Sequence, residues 1–348
     1  MNTAAAYIGN ACIYWSGVII AFGMAAGLLL TLALYKPKNE STAAVWIFFP
    51  LAFVFSFVLG RMLHYYFNAE SYDSFFKAMT DYSSGSFMLP GMLLGIWLAA
   101  WVTVRAGLDS SVGRLLDFAS PGCCLTIAFI RLSALFNDTC RSKISVTVPI
   151  FQRLPFAVGS TDAAGNTTYR MATFFIEFLI MLPVAAAVMK MCVKNRLRPM
   201  KRPCMATGNT VRLTLVLYGA VEMIMDSTRN DSPLMHFRIL SSLNKYSAFI
   251  SLAQVFAAVS ALAVLVYYSR MSIRGSGFSF RHVLLWVGFA LSLFAIGYLG
   301  EYRGQRYGAN KYLQCYSLMA LGCAGMYLTV RGMYAMCVKK GGSRRAGD

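Results

Sequence analysis

Nine mainly apolar runs punctuate the chain, at residues 11–35, 44–66, 87–105, 115–137, 171–193, 208–227, 246–269, 281–300 and 311–336. Each is close to the roughly 20 residues that a helix needs to cross a bilayer. The pattern predicts an all-α, polytopic helical bundle in a membrane. The third run carries Pro90-Gly91 near its start, where a kink or local opening of the helix is expected. The sixth carries Arg212 and Glu222. The first run has no positive segment before it and is long for a signal sequence, so it reads as a retained span. The connector 138–170 is long and reads as a lid or a protein-recognition arm. No internal repeat is evident, which argues against an inverted-repeat transporter.

Polar residues inside these runs carry the chemistry. Arg131 interrupts the apolar stretch Pro121–Phe136, and Arg61 lies near the end of Trp46–Leu63. An arginine at the centre of a span costs about 2.5–3.5 kcal/mol on insertion scales, so it is expected to have a partner, water or an anion beside it. Snorkelling to the headgroups is the alternative for both arginines. Glu177 sits early in the fifth run, where a carboxylate needs a proton or a cation; an ion pair with Arg131 or Arg61 is the structural reading. Glu222, Asp226 and Arg229 are spaced to share one helical face, either lining a cavity or forming an ion-pair seam. Asp117 reads as an interfacial helix-start residue. His64 and His236 fall at span ends or in loops and read first as polar surface, with a catalytic role as the alternative. Tyr35, Trp46, Tyr65, Tyr66 and Tyr246 suit an interfacial aromatic belt.

Composition agrees with the hydropathy pattern. Hydrophobic residues make up 57% of the 348, above the roughly 45–50% of soluble domains. The formal charge of +18 would suggest nucleic acid in a soluble protein. Here the basic residues collect in particular loops, as topogenic and lipid-facing charge does. Lys190, Lys194, Arg196, Arg198, Lys201, Arg202 and Arg212 follow the fifth run without an acid among them, and Arg270, Arg274 and Arg281 follow the seventh. The loop after the second run instead holds Glu70, Asp73 and Asp81 against Lys77. This asymmetry places the N-terminus outside and the C-terminus in the cytoplasm. Arg61, Arg131, Asn137, Glu177, Glu222, Asp226 and Arg229 then share the outer half of the membrane. The nine cysteines show no metal spacing, and only Cys140 lies in an outer loop, so neither a metal site nor a disulfide framework is expected.

The order of short motifs resembles the prolipoprotein diacylglyceryl transferase family over roughly residues 11–270. Leu59-Gly60-Arg61-Met62-Leu63 is similar to the family's arginine at the end of its second span. Gly85-Ser86-Phe87 with Gly91-Met92-Leu93-Leu94-Gly95 resembles its S-F-H-G-G-L-x-G stretch. Arg114-Leu115-Leu116-Asp117 and Ser120-Pro121-Gly122 resemble the run that opens its fourth span. Ile130 to Asn137 aligns with the signature G-R-x-G-N-F-x-N, and Pro155-Phe156-Ala157-Val158 resembles P-W-A-V. Arg170 to Glu177 resembles R-H-P-x-Q-L-Y-E, and Leu217-Tyr218-Gly219 to Asp231 resembles L-Y-G-x-x-R-x-x-x-E-x-x-R-x-x-D. Ser251-Leu252-Ala253-Gln254 resembles S-M-G-Q. The chain departs from the pattern at Pro90, where the family has histidine, at Ala134 for asparagine, at Thr139 for an acid, and at Glu222 for arginine.

The resemblance implies a seven-span transferase-like domain over 1–270, followed by two additional spans and a basic tail over 271–348. It implies a protein of the bacterial inner membrane. The implied reaction moves the diacylglyceryl group of phosphatidylglycerol to the lipobox cysteine thiol of a prolipoprotein, presented on its signal peptide. It calls for no cofactor, no metal and no nucleic acid. Arg61, Arg131, Asn137 and Arg229 are the expected phosphate-binding residues, and Arg131, Glu177, Glu222 and Asp226 the expected catalytic ones. A non-catalytic relative that binds an anionic lipid or a lipoprotein partner is the alternative, motivated by Glu222 and the two extra spans. A lipid transporter is a third class, less suited to charges that lie near one face.

Overall fold

A computed structural model describes residues 4–8, 11–35, 42–67, 72–80, 88–136, 142–161, 167–197, 207–229 and 250–340. Asn137, Thr139, Cys140 and His236 lie outside the described residues, as does the basic loop 198–206. Among the described residues the fold is an all-α helical bundle with two small hairpins. The long helices are α1 (Trp15–Tyr35), α2 (Ala43–Phe67), α4 (Leu89–Arg105), α5 (Val112–Ser133), α7 (Thr173–Leu197), α8 (Asn209–Thr228), α9 (Leu252–Ser276), α10 (Phe280–Phe294) and α12 (Tyr312–Lys340). Short helices α3 (Phe75–Thr80), α6 (Pro149–Gln152) and α11 (Arg303–Tyr307) fill the connections. A π-helical segment, Ala295–Tyr302, carries α10 into α11.

Seven of the helices are long and apolar enough to cross a membrane. The two expected spans that fall outside this group are α4, which is 17 residues long, and α8. α8 has a physical reason to be less apolar: fourteen of its 20 residues are buried in protein. A helix shielded from lipid by its neighbours can carry Arg212, Glu222 and Asp226 at a cost that a lipid-facing helix does not tolerate.

Two expectations change. The first apolar run is not helical throughout: Ala11–Tyr14 forms β2, which pairs antiparallel with β1 (Ala4–Ile8), and α1 begins at Trp15. Pro90 does not kink α4, because it lies in the first turn, where its missing N–H would have had no intrahelical acceptor. Part of the long connector 138–170 is structured. β3 (Ala157–Thr161) and β4 (Thr167–Met171) form an antiparallel hairpin, with bridges from Ser145 to Arg170 and from Ser142 to Arg229.

The helices pack in two groups that meet at α5 and α8. Tyr35, Val45, Phe48, Ala100, Leu115 and Leu116 join α1, α2, α4 and α5 in one core. Small residues bring these backbones together: a methyl on Gly27 would collide with the Gly122 carbonyl of α5, and one on Gly95 with the backbone of α2 at Ser56. The second core joins α8 and α9 to α10 and α12 through Val216, Met223, Leu265, Phe289, Met319 and Met326. A bridging cluster of Cys124, Ala128, Met181, Val188 and Tyr218 holds α5, α7 and α8 side by side.

Candidate active site

The site forms where α5 ends, α7 begins and α8 nears its end. Arg131 lies in the last turn of α5, Glu177 is the fifth residue of α7, and Glu222 lies six residues before the end of α8. The bridging core sets these three helices side by side, so the three side chains reach one another at one level. Arg131 Nε lies 2.7 Å from Glu177 Oε1. Arg131 Nη2 donates to both oxygens of Glu222, at 2.6 and 2.8 Å. One turn back on α8, the Tyr218 hydroxyl donates to Glu222 Oε2 at 3.0 Å.

These groups are withdrawn from solvent. Glu177, Glu222 and Asp226 are buried, and the Arg131 side chain is 16% exposed. Ion pairs this deep are charge-assisted and short. Removing one partner strands the other in a low dielectric, which typically costs about 3–5 kcal/mol. Formally, one guanidinium against two carboxylates leaves a net charge of −1. The field of Arg229 also reaches Glu177 and Glu222 and offsets that excess.

Asp226 follows Glu222 by one turn on α8 and is buried at 3% exposure. Arg229 is not on the helix: it is the residue just beyond α8, with extended backbone, and its N–H donates to the Asp226 carbonyl. The expected single face of Glu222, Asp226 and Arg229 is therefore a helical face of two acids followed by a capping arginine. The connector is laid across this end of the helix. Ser142 Oγ and the Lys143 N–H both donate to the Thr228 carbonyl, at 2.8 and 2.9 Å. The Thr228 and Thr173 hydroxyls lie 3.2 Å apart and tie α8 to the start of α7.

The other candidates make local contacts of their own. Arg61 is buried on α2, beside the contact where the Met88 N–H donates to the Gly60 carbonyl. Arg170 sits in β4 opposite Val158. The His64 ring meets Tyr72 edge to face at 6.0 Å. Asp117 does not serve the start of its own helix. Its carboxylate accepts from the Gly208 and Val211 N–H groups, at 2.6 and 2.9 Å, and so caps α8 from α5.

The chain matches the family model described as prolipoprotein diacylglyceryl transferase over residues 3–269. It belongs to that family. Its spans and its family make it a multi-pass protein of the bacterial inner membrane. A phosphatidylglycerol–prolipoprotein diacylglyceryl transferase of Clostridium botulinum (strain Hall) is 30% identical over 178 residues, 51% of this chain and 68% of the relative. One from Lactococcus lactis subsp. lactis is 24% identical over 242 residues, 68% of this chain and 85% of the relative. One from Clostridium perfringens (strain 13) is 22% identical over 261 residues, 75% and 95% of the two chains. The π-helical segment and α12 lie beyond the matched family region.

Membership gives the departures a location. Glu222, which stands where the resemblance expects arginine, is one of the two carboxylates that hold the Arg131 guanidinium. Pro90 opens α4, and Ala134 opens the single 3-10 turn that follows α5. The site also takes in Tyr218. Tyr218 was detectable, since it precedes Glu222 by one helical turn. Glu301, buried in the π-helical segment, stood just past the end of an apolar run and resembled an ordinary span edge.

Proposed function

We propose that this protein transfers the diacylglyceryl group of phosphatidylglycerol to the lipobox cysteine thiol of a prolipoprotein. The observation that carries the reading is a largely buried arginine with two carboxylates converging on it from separate helices, in a chain of this family. Arg131 neutralises the lipid phosphate and stabilises the departing glycerol phosphate, with Arg61, Arg229 and Asn137 as further phosphate ligands. A carboxylate among Glu177, Glu222 and Asp226 accepts the thiol proton. The thiolate sulfur attacks the glycerol carbon that bears the phosphate. A carbon–sulfur bond forms, the carbon–oxygen bond to the phosphate breaks, and the proton passes to the leaving group.

The prolipoprotein is presented on its signal peptide, and no nucleic acid takes part. The N-terminus lies outside and the C-terminus in the cytoplasm, in keeping with the loop charges. Residues 1–270 form the transferase domain and 271–348 an added pair of spans with a basic tail. The test is transfer in detergent by purified protein, given labelled phosphatidylglycerol and a lipobox peptide. Thioether product that is lost in Arg131→Ala supports the assignment; full transfer by Arg131→Ala sinks it.

One observation favours a second reading, a non-catalytic lipid-binding relative. Glu222 occupies the guanidinium that the phosphate needs. That reading expects saturable, Arg131-dependent lipid binding without product, and any turnover by the purified protein excludes it.

A further inference from the structure

The two C-terminal spans are built into the site helix. Residues of α8, Val216, Ala220 and Met223, share one core with Ile296 of the π-helical segment and with Met319, Cys323 and Met326 of α12. Two polar ties run through that core. Gln254 Nε2, in the first turn of α9, donates to the Met223 carbonyl at 3.3 Å and to Glu301 Oε2 at 2.9 Å. Met223 is the residue after Glu222. Separately, the Tyr316 hydroxyl of α12 donates to the Ser227 carbonyl at 3.2 Å. Ser227 follows Asp226 and lies in the last turn of α8, where carbonyls have no intrahelical donor.

Glu301 holds the first tie in place. Its other oxygen accepts from Gln305 Nε2 at 2.6 Å, and the side chain is buried. The donors to this carboxylate are two amides. A carboxylate held by neutral donors in an apolar core is costly, and an apolar side chain of similar size would fill the space without that cost. What the carboxylate supplies is orientation. It fixes the Gln254 amide, whose Oε1 in turn accepts the Ser251 N–H in the capping box that starts α9. The π-helical segment contributes as well. Its wider i→i+5 turn puts Ile296, Gly300 and Glu301 on the buried side.

We propose that Glu301 is a positioning residue for the acidic face of α8. It acts through Gln254, and with Tyr316 it makes the two C-terminal spans set how Glu222 meets Arg131. The proposal rests on the reading above, in which Arg131 holds the donor phosphate. Loss of the ties lets α8 shift against α5, and the donor site changes while the bundle stays folded.

The test uses the full chain in detergent, with two readouts. One is transfer kinetics with phosphatidylglycerol and lipobox peptide. The other is the NMR resonance of Arg131 Nε in protein carrying isotopically labelled arginine, assigned by its loss in Arg131→Lys. Glu301→Ala is expected to raise the donor KM about tenfold with kcat little changed, and to shift the Arg131 resonance. Tyr316→Phe moves both in the same direction by less. Glu301→Gln stays near the wild type, because its amide oxygen still accepts from Gln254. An unmoved Arg131 resonance in folded Glu301→Ala overturns the proposal, and so does a Glu301→Gln as impaired as the alanine, which would assign the work to the charge itself. Should Glu301→Ala fail to fold, an unmoved resonance in Tyr316→Phe overturns it alone. Wild-type protein that transfers nothing sinks the transferase reading, while the resonance still decides the coupling.

Discussion

The two ends of α8 are both polar, both buried, and built on opposite principles. At its start, Asp117 of α5 accepts the Gly208 and Val211 N–H groups, Asn209 accepts from the Tyr268 hydroxyl, and Arg212 lies over the Tyr267 ring at 4.0 Å. Each group there has a partner that a helix terminus or an aromatic neighbour supplies, and the result is a cap. Near its end, charged side chains from three helices point at one another, and the single guanidinium serves two carboxylates. The first arrangement completes the fold's own hydrogen bonding. The second sets two carboxylates on one arginine and, on the proposed reading, gives an anionic ligand something to displace. Buried polarity alone therefore does not mark a site; convergence of unlike charges across separate elements does.

The largest expected effect separates the two ends most sharply. Arg131→Ala is expected to lower transfer by at least about 10²–10³-fold, the scale of losing one donor to a developing anion. It also strands Glu177 and Glu222, at a stability cost of about 3–5 kcal/mol. Kinetics on the folded fraction, with thermal unfolding followed in parallel, separate the two losses. Transfer reduced only in proportion to the folded fraction would make the ion pairs structural, like the other end of the helix.

Asp117→Ala is the converse. It removes a cap and leaves the Gly208 and Val211 N–H groups without that acceptor, so a loss of about 2 kcal/mol is expected, read as a lower unfolding temperature. Donor KM and kcat of the folded protein stay at wild-type values. A selective change in donor KM would show that the start of α8 belongs to the site as well.

Much of this contrast was legible in the chain. The apolar runs located the long helices, and counting residues from each run's end put Arg131, Glu177 and Glu222 at a common depth. What escaped was whatever hydropathy does not encode. Ala11–Tyr14 is apolar, but an apolar tetrad serves a strand as well as a helix. Pro90 looked like an interior proline because Phe87 and Met88 ahead of it are apolar, so nothing in the pattern marked the helix start. Asp117 suggested a helix start, and the helix it caps lies 91 residues further along, a pairing that only the packing of α5 against α8 creates. The likeness of local motifs ends near residue 270, so no motif marks Glu301, an acid at the end of an apolar run.

Glu222→Gln tests the competition for the Arg131 guanidinium. The amide keeps the shape of the side chain and removes the anion that competes with a lipid phosphate for Arg131. Phosphatidylglycerol is expected to bind about tenfold more tightly, an effect of roughly 1.4 kcal/mol, measured by equilibrium binding in detergent. Unchanged or weaker binding would mean that Glu222 does not stand in the phosphate's place and that the pair should be grouped with the structural end of α8.

The smallest effect belongs to Tyr218. Its hydroxyl gives Glu222 a third hydrogen bond, from the same helix and one turn away. Without it, Glu222 keeps both contacts to Arg131 but loses the group that fixes its carboxylate plane. Tyr218→Phe preserves the ring that packs between α5 and α7 in the bridging core. Its cost is therefore that of one buried hydrogen bond to a charged group, about 1.5–3 kcal/mol at full strength and less where Arg131 compensates. If Glu222 competes with the donor, loosening it should tighten donor binding by about twofold to fivefold, in the same direction as Glu222→Gln and by less. In the doubly substituted protein the hydroxyl has no charge to hold, so adding Tyr218→Phe to Glu222→Gln should change donor binding no further. Additive effects in that cycle would separate Tyr218 from Glu222 and return it to the apolar core.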